Sequence, residues 1–215
     1  RMSGPVFQSD GSLPGCPATK LAAGGSALWR LPSHAGCLSA FDAVTGIARP
    51  PAGAARWFGR DLSALSPRQA MGVLRRMAPL APDGGLLDNV RMAENILLPC
   101  EARGRGAAGP GELGEALARA PWDVWFPEAH LWVLPYQASA VERALAGVLR
   151  AWLARPEAVV ACDPGYHLEH GERAVLADAL AWLRAEQPGC AWLFIQTESA
   201  LPPGFAANTL HVEQP

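Results

Sequence analysis

Apolar residues in this chain fall into short unbroken runs and two long helical stripes. The runs at 26–31, 54–58, 157–163, 191–197 and 209–213 predict strands. Several are apolar almost throughout, as strands covered on both faces are. In QASAVERALAGVLRAWLA, Val141, Leu145, Val148, Leu149, Trp152 and Leu153 form one stripe, with Glu142, Arg143 and Arg150 off it. ERAVLADALAWLRAE carries Val175, Leu176, Ala179, Leu180 and Leu183, and stops near Pro188-Gly189. Shorter helices are expected at about 88–98 and 111–120, either side of EARGRGAAGPGELG, whose composition reads as a flexible connection. Strands at both ends with a helical insertion between them predict an α/β fold, a core sheet flanked by helices and carrying a small helical subdomain.

Composition narrows this picture. Half of the 215 residues are hydrophobic, enough to bury one substantial core. Net charge is −2 and the basic residues are scattered along the sequence, so no nucleic-acid partner is expected. No apolar run approaches the ~20 residues that span a bilayer, so no membrane insertion is expected. RMSGPVFQSDGSLPG lacks the apolar core of a signal peptide, which makes a cytoplasmic location the expectation. The five cysteines, Cys16, Cys37, Cys100, Cys162 and Cys190, are widely spaced and read as reduced thiols. There is a single lysine, Lys20.

LPSHAGCLS, from Leu31 to Ser39, lies between a predicted strand, SALWRL, and a helix-like segment, AFDAVTGI. A phosphate-binding loop occupies that context, but its pattern G-x-x-x-x-G-K-[ST] is only half present. Leu31 takes the first glycine's place, Cys37 the lysine's and Leu38 that of the metal-binding hydroxyl.

Further motifs follow the loop at fixed spacing. Gly46-Ile47 lie ten residues beyond Gly36, and then come Pro50 or Pro51 with Gly53, Gly59-Arg60-Asp61-Leu62, Leu65, and Leu74-Arg75-Arg76. Gly85 to Val90 and Glu94-Asn95 continue the series, and ALAGVLRAWLARPEAVVACDPGYHLE closes it. In these motifs the chain resembles the ATP-binding subunits of ABC transporters over roughly 24–212, with GLLDNVRMAENILLP resembling the lipid-transport (MCE-type) branch. The resemblance implies a P-loop NTPase-like core at about 1–87 and 141–215, and a helical subdomain at about 88–140, within one ABC ATPase-like domain.

The departures from the family's pattern are concentrated at its reactive positions. The loop keeps Ser33, Gly36 and Ser39 but has Cys37 for lysine. The glutamine that senses metal and water falls at Pro82. The signature L-S-G-G-[QE] falls at Ala138-Ser139-Ala140-Val141-Glu142, so Ser139 and Glu142 survive. The Walker B aspartate maps to Cys162, the catalytic glutamate to Asp163 and the switch histidine to Thr197, while Pro164 is kept. No convincing N-terminal aromatic is found to stack adenine, Phe7 being the one candidate. Scaffold positions (Gly46, Gly53, Gly59, Leu74, Gly85, Asn95, Pro156) persist.

ATP brings about four negative charges, and phosphoryl transfer depends on neutralising and positioning them. Losing the lysine and both protein-supplied magnesium positions removes three interactions of ~1.5–3 kcal/mol each, roughly 5–9 kcal/mol, against ~8 kcal/mol for micromolar binding. No ATPase activity, no cofactor and no catalytic or metal-binding residue is therefore expected, with Ser33, Gly36, Cys37, Ser39, Cys162 and Asp163 as a vestigial nucleotide site. The resemblance implies a partner groove lined by Pro82, Asp83, Leu86, Leu87, Glu94 and Asn95. An integral membrane permease would dock there, and a second ATPase-like chain, identical or different, would pair with this one. Ser139 and Glu142 would then touch nucleotide held by that chain. The implied location is peripheral, on the inner face of the cytoplasmic membrane, in transport with a lipid cargo as the branch suggests.

The resemblance implies that Cys37, Cys162, His34 and Asp163 lie close together, either as metal-ligand types or as small thiols filling the space of a lost phosphate and metal. Trp29, Trp152, Trp182 and Trp192 are expected in the core. Trp122, Trp125 and Trp132 are read either as a partner patch or as packing within the helical subdomain. Two other readings stand beside the transporter one: a soluble regulatory or scaffold protein of ABC ATPase descent, and an enzyme with altered nucleotide or metal chemistry at Asp163 and Cys162.

Overall fold

The structure, a computed structural model, describes residues 4–102, 110–120, 126–197 and 210–211. The chain divides into two compact units: Arg1–Pro79 with Pro156–Asp163 and Gly189–Pro215, and Leu80–Arg155 with Pro164–Pro188. The second contains the segment 88–140 expected as a helical subdomain.

The first unit is built on the apolar runs. Strands β3 (Ser26–Arg30), β7 (Ala158–Cys162) and β8 (Ala191–Gln196) are buried along nearly their whole length. They pair in parallel, Ser26 opposite Trp192 and Val160 opposite Leu193. With β6 (Met77–Leu80) and β9 (Leu210–His211) the sheet runs β6-β7-β8-β3-β9. Helix α1 (His34–Thr45) lies on β7 and β8. A second, antiparallel sheet has the order β2-β1-β4-β5, from Phe7–Ser9 (β1), Thr19–Leu21 (β2), Arg56–Trp57 (β4) and Arg60–Asp61 (β5).

The two sheets share an aromatic core. Phe7 is fully buried, its ring centroid 5.8 Å from that of Trp29 and 4.4 Å from that of Trp57. Both indoles find acceptors there: Trp29 Nε1 donates to Thr19 Oγ1 at 2.8 Å and Trp57 Nε1 to the Val44 carbonyl at 2.7 Å. Phe7 is thus a core residue and presents no face to adenine. Helix α2 (Pro67–Leu74) starts at a Ser66–Gln69 capping box with proline at its first position, the combination that fixes a helix start.

The second unit is helical: α3 (Met92–Ala102), α4 (Pro110–Arg119), α5 (Ala140–Ala154) and α6 (His170–Glu186). Helix α5 packs against the other three and is buried on nearly every side. Glu142, expected off the apolar stripe, is buried with it. Trp152 is buried and stacks on Trp182 at 5.9 Å, but Trp182, expected in the core, is only half-buried. The partner-patch residues Trp122 and Trp125 lie outside the described residues, as does most of the glycine- and arginine-rich connection.

One close approach fixes the loop before α3. Gly84 has φ +83°, and a Cβ there would meet the Arg143 carbonyl oxygen at 2.2 Å. Only glycine admits α5 so near. Arg150 completes the contact, its guanidinium donating to the carbonyls of Gly84 and Gly85 at 2.7 Å each. Gly84→Ala should therefore cost about 3 kcal/mol, through strain and a displaced α5. Gly147→Ala, whose added carbon meets Gly84 O at a milder 3.2 Å, should cost less. Denaturant midpoints of the two variants check the order.

Candidate functional site

The segment after β3 is a helix start. The Leu31 amide extends the sheet by donating to the Gln196 carbonyl at 3.0 Å, and its side chain is buried. Ser33 caps α1: its backbone is extended, and its Oγ accepts from the Gly36 amide at 3.1 Å. The Cys37 amide donates to the Ser33 carbonyl at 3.0 Å. His34, Ala35 and Gly36, which the motif assigns to a phosphate cradle, are therefore wound into the first turn of α1, where the Gly36 amide serves the Ser33 cap and the Cys37 amide the Ser33 carbonyl. Ser39 and Leu38 sit on the exposed side of that helix. Lys20 lies exposed on β2, opposite Gln8.

His34 reaches the end of β7. Its Nδ1 donates to Asp163 Oδ2 at 2.6 Å, bringing together the two residues expected to be close. Asp163 has no solvent exposure. Its other oxygen, Oδ1, accepts from the Thr197 amide and hydroxyl, both at 3.1 Å. The Asp163 amide donates to the Ile195 carbonyl at 2.6 Å. The residue holds φ +41°, a left-handed conformation that costs a non-glycine residue about 1 kcal/mol or more and persists where surrounding bonds enforce it. Three chain segments thus meet on one carboxylate. Thr197, noted in the sequence only as a lost histidine, is its third member.

Two thiols line the same neighbourhood. Cys37 and Cys162 are fully buried. Burial, with the Asp163 charge and Cys16 nearby, pushes the Cys37 thiol up to about 12. Burial, then Cys37, Asp163 and Asp42, pushes Cys162 higher still. Protonated thiols are poor metal ligands and poor nucleophiles. Among the described residues no group of three His, Cys, Asp or Glu side chains is placed to hold a metal ion. The residues do not suit magnesium, which needs several oxygen ligands. Leu38 offers no oxygen, Cys162 presents a buried thiol, and Asp163 is bonded at both oxygens.

The signature-like residues belong to the second unit and form the start of α5. Glu142 Oε2 accepts from the Ser139 amide at 2.6 Å and from its hydroxyl at 2.8 Å. His130 Nδ1 bonds to Glu142 Oε1. Burial alone would raise the Glu142 carboxyl, but Ser139 and His130 outweigh it and hold the group below the ordinary carboxylate range. The survival of this pair has a local cause, a capping box. His130 carried no signal in the sequence, since nothing in its spacing tied it to α5.

The groove candidates divide between anchoring and exposed roles. Asn95 is fully buried and ties the preceding turn: Oδ1 accepts from the Leu87 amide at 2.7 Å, and Nδ2 donates to Leu87, Val90 and Arg91 carbonyls at 3.0, 2.8 and 3.2 Å. This turn delays α3 to Met92, later than the expected 88. Glu94 Oε2 accepts from the Arg91 amide, and Asp83 Oδ1 from Gly85. Pro82 is buried, Leu86 half-buried and Leu87 exposed. Trp132 and Tyr136 are also exposed, at 61% and 68%. The Met92 amide donates to the Val133 carbonyl, which holds the Trp132 segment at the same end of α3.

No protein-family model and no curated protein matches this sequence. Solved structures do match its fold. The ATP-binding cassette MJ0796, in a dimeric post-hydrolysis state bound to ADP and Pi, superposes with a TM-score of 0.70 at 17% identity, over 84% of this chain and 78% of that one. A dimeric structure of MJ0796, described as a bacterial ABC transporter cassette, gives the same TM-score and identity over 83% and 78%. CbiO1 from Clostridium perfringens, part of the ABC transporter complex cbiONQ, gives 0.69 at 10% identity over 94% and 82%. The fold is that of the ABC ATPases, with the P-loop NTPase arrangement of parallel sheet and helices.

Two outcomes follow from this geometry. All five cysteines are buried, and the raised thiols of Cys16, Cys37, Cys162 and Cys190 stay protonated until pH climbs well above 8. A chromogenic disulfide reagent at pH 8 should label the native protein negligibly and the denatured protein fully. Asp163→Ala removes the acceptor shared by His34 and Thr197, and at ~1.5–3 kcal/mol for a hydrogen bond to a charged group it should lower unfolding stability by about 2–4 kcal/mol.

Proposed function

We propose that this chain is a non-catalytic ABC-type subunit, a pseudo-ATPase serving a transporter through assembly and not through turnover. The observation that carries the reading is the bonded state of Asp163. At the position where the resembled family has its catalytic carboxylate, both oxygens are held by His34 and Thr197, and the adjoining loop is wound into α1. Among the described residues, both Asp163 oxygens are engaged within the protein, not held open for a triphosphate or an attacking water. The absent lysine and the protonated Cys162 support the same conclusion.

The partners of this reading are an integral membrane permease subunit and a second ATPase-like chain. Support for a docking surface comes from Leu87, Trp132 and Tyr136, exposed large side chains near the N-terminal end of α3. Isolated exposed apolar residues are ordinary, but aromatic groups beside a bonded, rigid turn are the features of an interface anchor. Pro82, Asp83, Leu86 and Glu94 complete the edge of that surface, and Asn95 acts from beneath by setting the turn. The chain then sits on the inner face of the cytoplasmic membrane through its permease, and lipid cargo is the finer assignment suggested by GLLDNVRMAENILLP.

Calorimetric titration with magnesium-ATP tests the chemical half. Up to about 1 mM nucleotide, equivalent to ~4 kcal/mol of binding, no saturable heat is expected, and phosphate release should equal that of Asp163→Ala. Micromolar binding, or turnover abolished by that substitution, would overturn the reading. Purification from native membranes tests the other half. Recovery with a permease and a sister ATPase is expected, whereas an isolated soluble monomer would favour the scaffold alternative.

A further inference from the structure

Three segments of the second unit meet at the edge that carries Leu87, Trp132 and Tyr136. Gly84 lies against the Arg143 carbonyl, and the Arg143 guanidinium donates to the Ala138 carbonyl at 2.7 Å, so the turn before α3 is closed onto the start of α5. His130 bonds to Glu142 of α5, and the Met92 amide of α3 donates to the Val133 carbonyl at 3.0 Å. Residues 127–137 are thereby tied to both helices. They form only two short 3-10 turns, Glu128–Trp132 and Pro135–Gln137. Leu131 and Pro135 face inward, while Trp132 and Tyr136 stay exposed.

The charge of this edge is negative. Asp83, Asp88, Glu94 and Glu128 are exposed, and Arg91 is the one exposed cation of residues 82–95 and 126–150. Arg143 and Arg150 are half-buried, their guanidiniums on the carbonyls of Ala138, Gly84 and Gly85, and Arg150 also feels the Asp83 charge. Glu142 is buried against Ser139 and His130. All told, five carboxylates stand against three arginines and one histidine, and among exposed side chains four against one. The opening of α6 adds Glu169, His170, Glu172 and Arg173, which bring no net positive charge. The whole second unit follows the same sign, with 13 acidic residues and nine arginines, whereas the first has seven acidic and nine basic. A net charge of −2 for the chain conceals that difference.

We infer that this edge receives a cationic segment from a cytoplasmic loop of a membrane protein, its lysines or arginines over Asp88, Glu94 and Glu128 and an apolar side chain against Trp132 and Tyr136. The inference rests on the docking surface of the proposed function and names the chemistry of what docks there. Loops on the cytoplasmic side of membrane proteins are enriched in lysine and arginine, and an acidic edge complements them. An anionic bilayer or a nucleic acid would be repelled by the same carboxylates. Exposed tryptophan and tyrosine supply the anchors, and complementary charge around them sets register and association rate.

Fluorescence anisotropy of labelled peptides with the full chain tests it. The probe is a short amidated peptide with leucine on one helical face and lysine on the other; its counterpart has glutamate in place of lysine. The lysine peptide should bind saturably below about 1 mM at about 0.1 M salt and more weakly at about 0.5 M, where screening is shorter-ranged. The glutamate peptide should not bind. Asp88→Lys with Glu128→Lys should weaken the lysine peptide about tenfold, at up to about fivefold for each exposed charge pair. Trp132→Ser should weaken it about tenfold as well. Glu115→Lys with Asp178→Lys makes the same charge change on α4 and α6 and should retain most of the binding. Circular dichroism confirms that each variant is folded. The inference is overturned by absent binding of the lysine peptide, by equal binding of the glutamate peptide, by equal losses in the two double variants, or by unchanged binding in Trp132→Ser. A permease recovered from native membranes beside a failed peptide assay would remove this inference and leave the proposed function standing. Peptide binding with no permease recovered would do the reverse.

Discussion

The local structure at the end of the central strands depends on one buried negative charge. A carboxylate removed from water costs several kcal/mol unless charge-assisted bonds replace its hydration. Asp163 has no exposure and receives three such bonds, one from His34 and two from Thr197. To deliver the first, the chain after β3 must turn at once into α1, which puts His34 in the opening turn. To deliver the others, the chain leaving β8 must pass close to the end of β7. The positive φ at Asp163 is tolerated for the same reason: releasing it would free the backbone and unpair the carboxylate together.

This arrangement explains why thiols suit positions 37 and 162. A cation at position 37 or a second carboxylate at 162 would need its own partner in the same dry space. Cysteine needs none and stays neutral there, because burial and Asp163 both oppose the thiolate. Two unit charges about 4 Å apart interact by about 4 kcal/mol at an effective dielectric of 20. A polyphosphate laid beside Asp163 without lysine or metal would meet that interaction as repulsion, and the first-turn amide of Gly36 is already bonded to Ser33.

The legible parts of the sequence were those with a long or unbroken pattern. The cores of β3, β7 and β8, and the helices α5 and α6, follow directly from apolar runs and 3.6-residue stripes. Strands β1, β2 and β5 have two or three residues each, too few to show alternation, and their stability comes from Phe7, Trp29 and Trp57 meeting across two sheets. Glu142 misled the helical reading because a charged residue is assumed to face water. Its burial becomes tolerable only through Ser139 and His130, and His130 lies on a segment with no helical link to α5. The proximity of His34 and Asp163 was readable from motif positions 129 residues apart, but Thr197 was legible only as a departure. A motif records which residue a reaction needs and is silent about what a replacement can do.

The same distinction bears on why some motif positions persist and others do not. Gly84 and Gly85 admit α5 and offer carbonyls to Arg150; Asn95 satisfies four backbone groups of one turn; Ser139 and Glu142 cap α5. Each has work within its own unit that is independent of nucleotide. Positions 37, 162 and 197, by contrast, meet at the end of the central strands around Asp163. The physical requirement at those positions is satisfaction from within the protein. His34, Thr197 and the two thiols meet it. Residues 34, 163 and 197 at the sheet end, and 84, 95, 139 and 142 in the second unit, thus follow one condition: polar groups taken out of water are satisfied from within the protein.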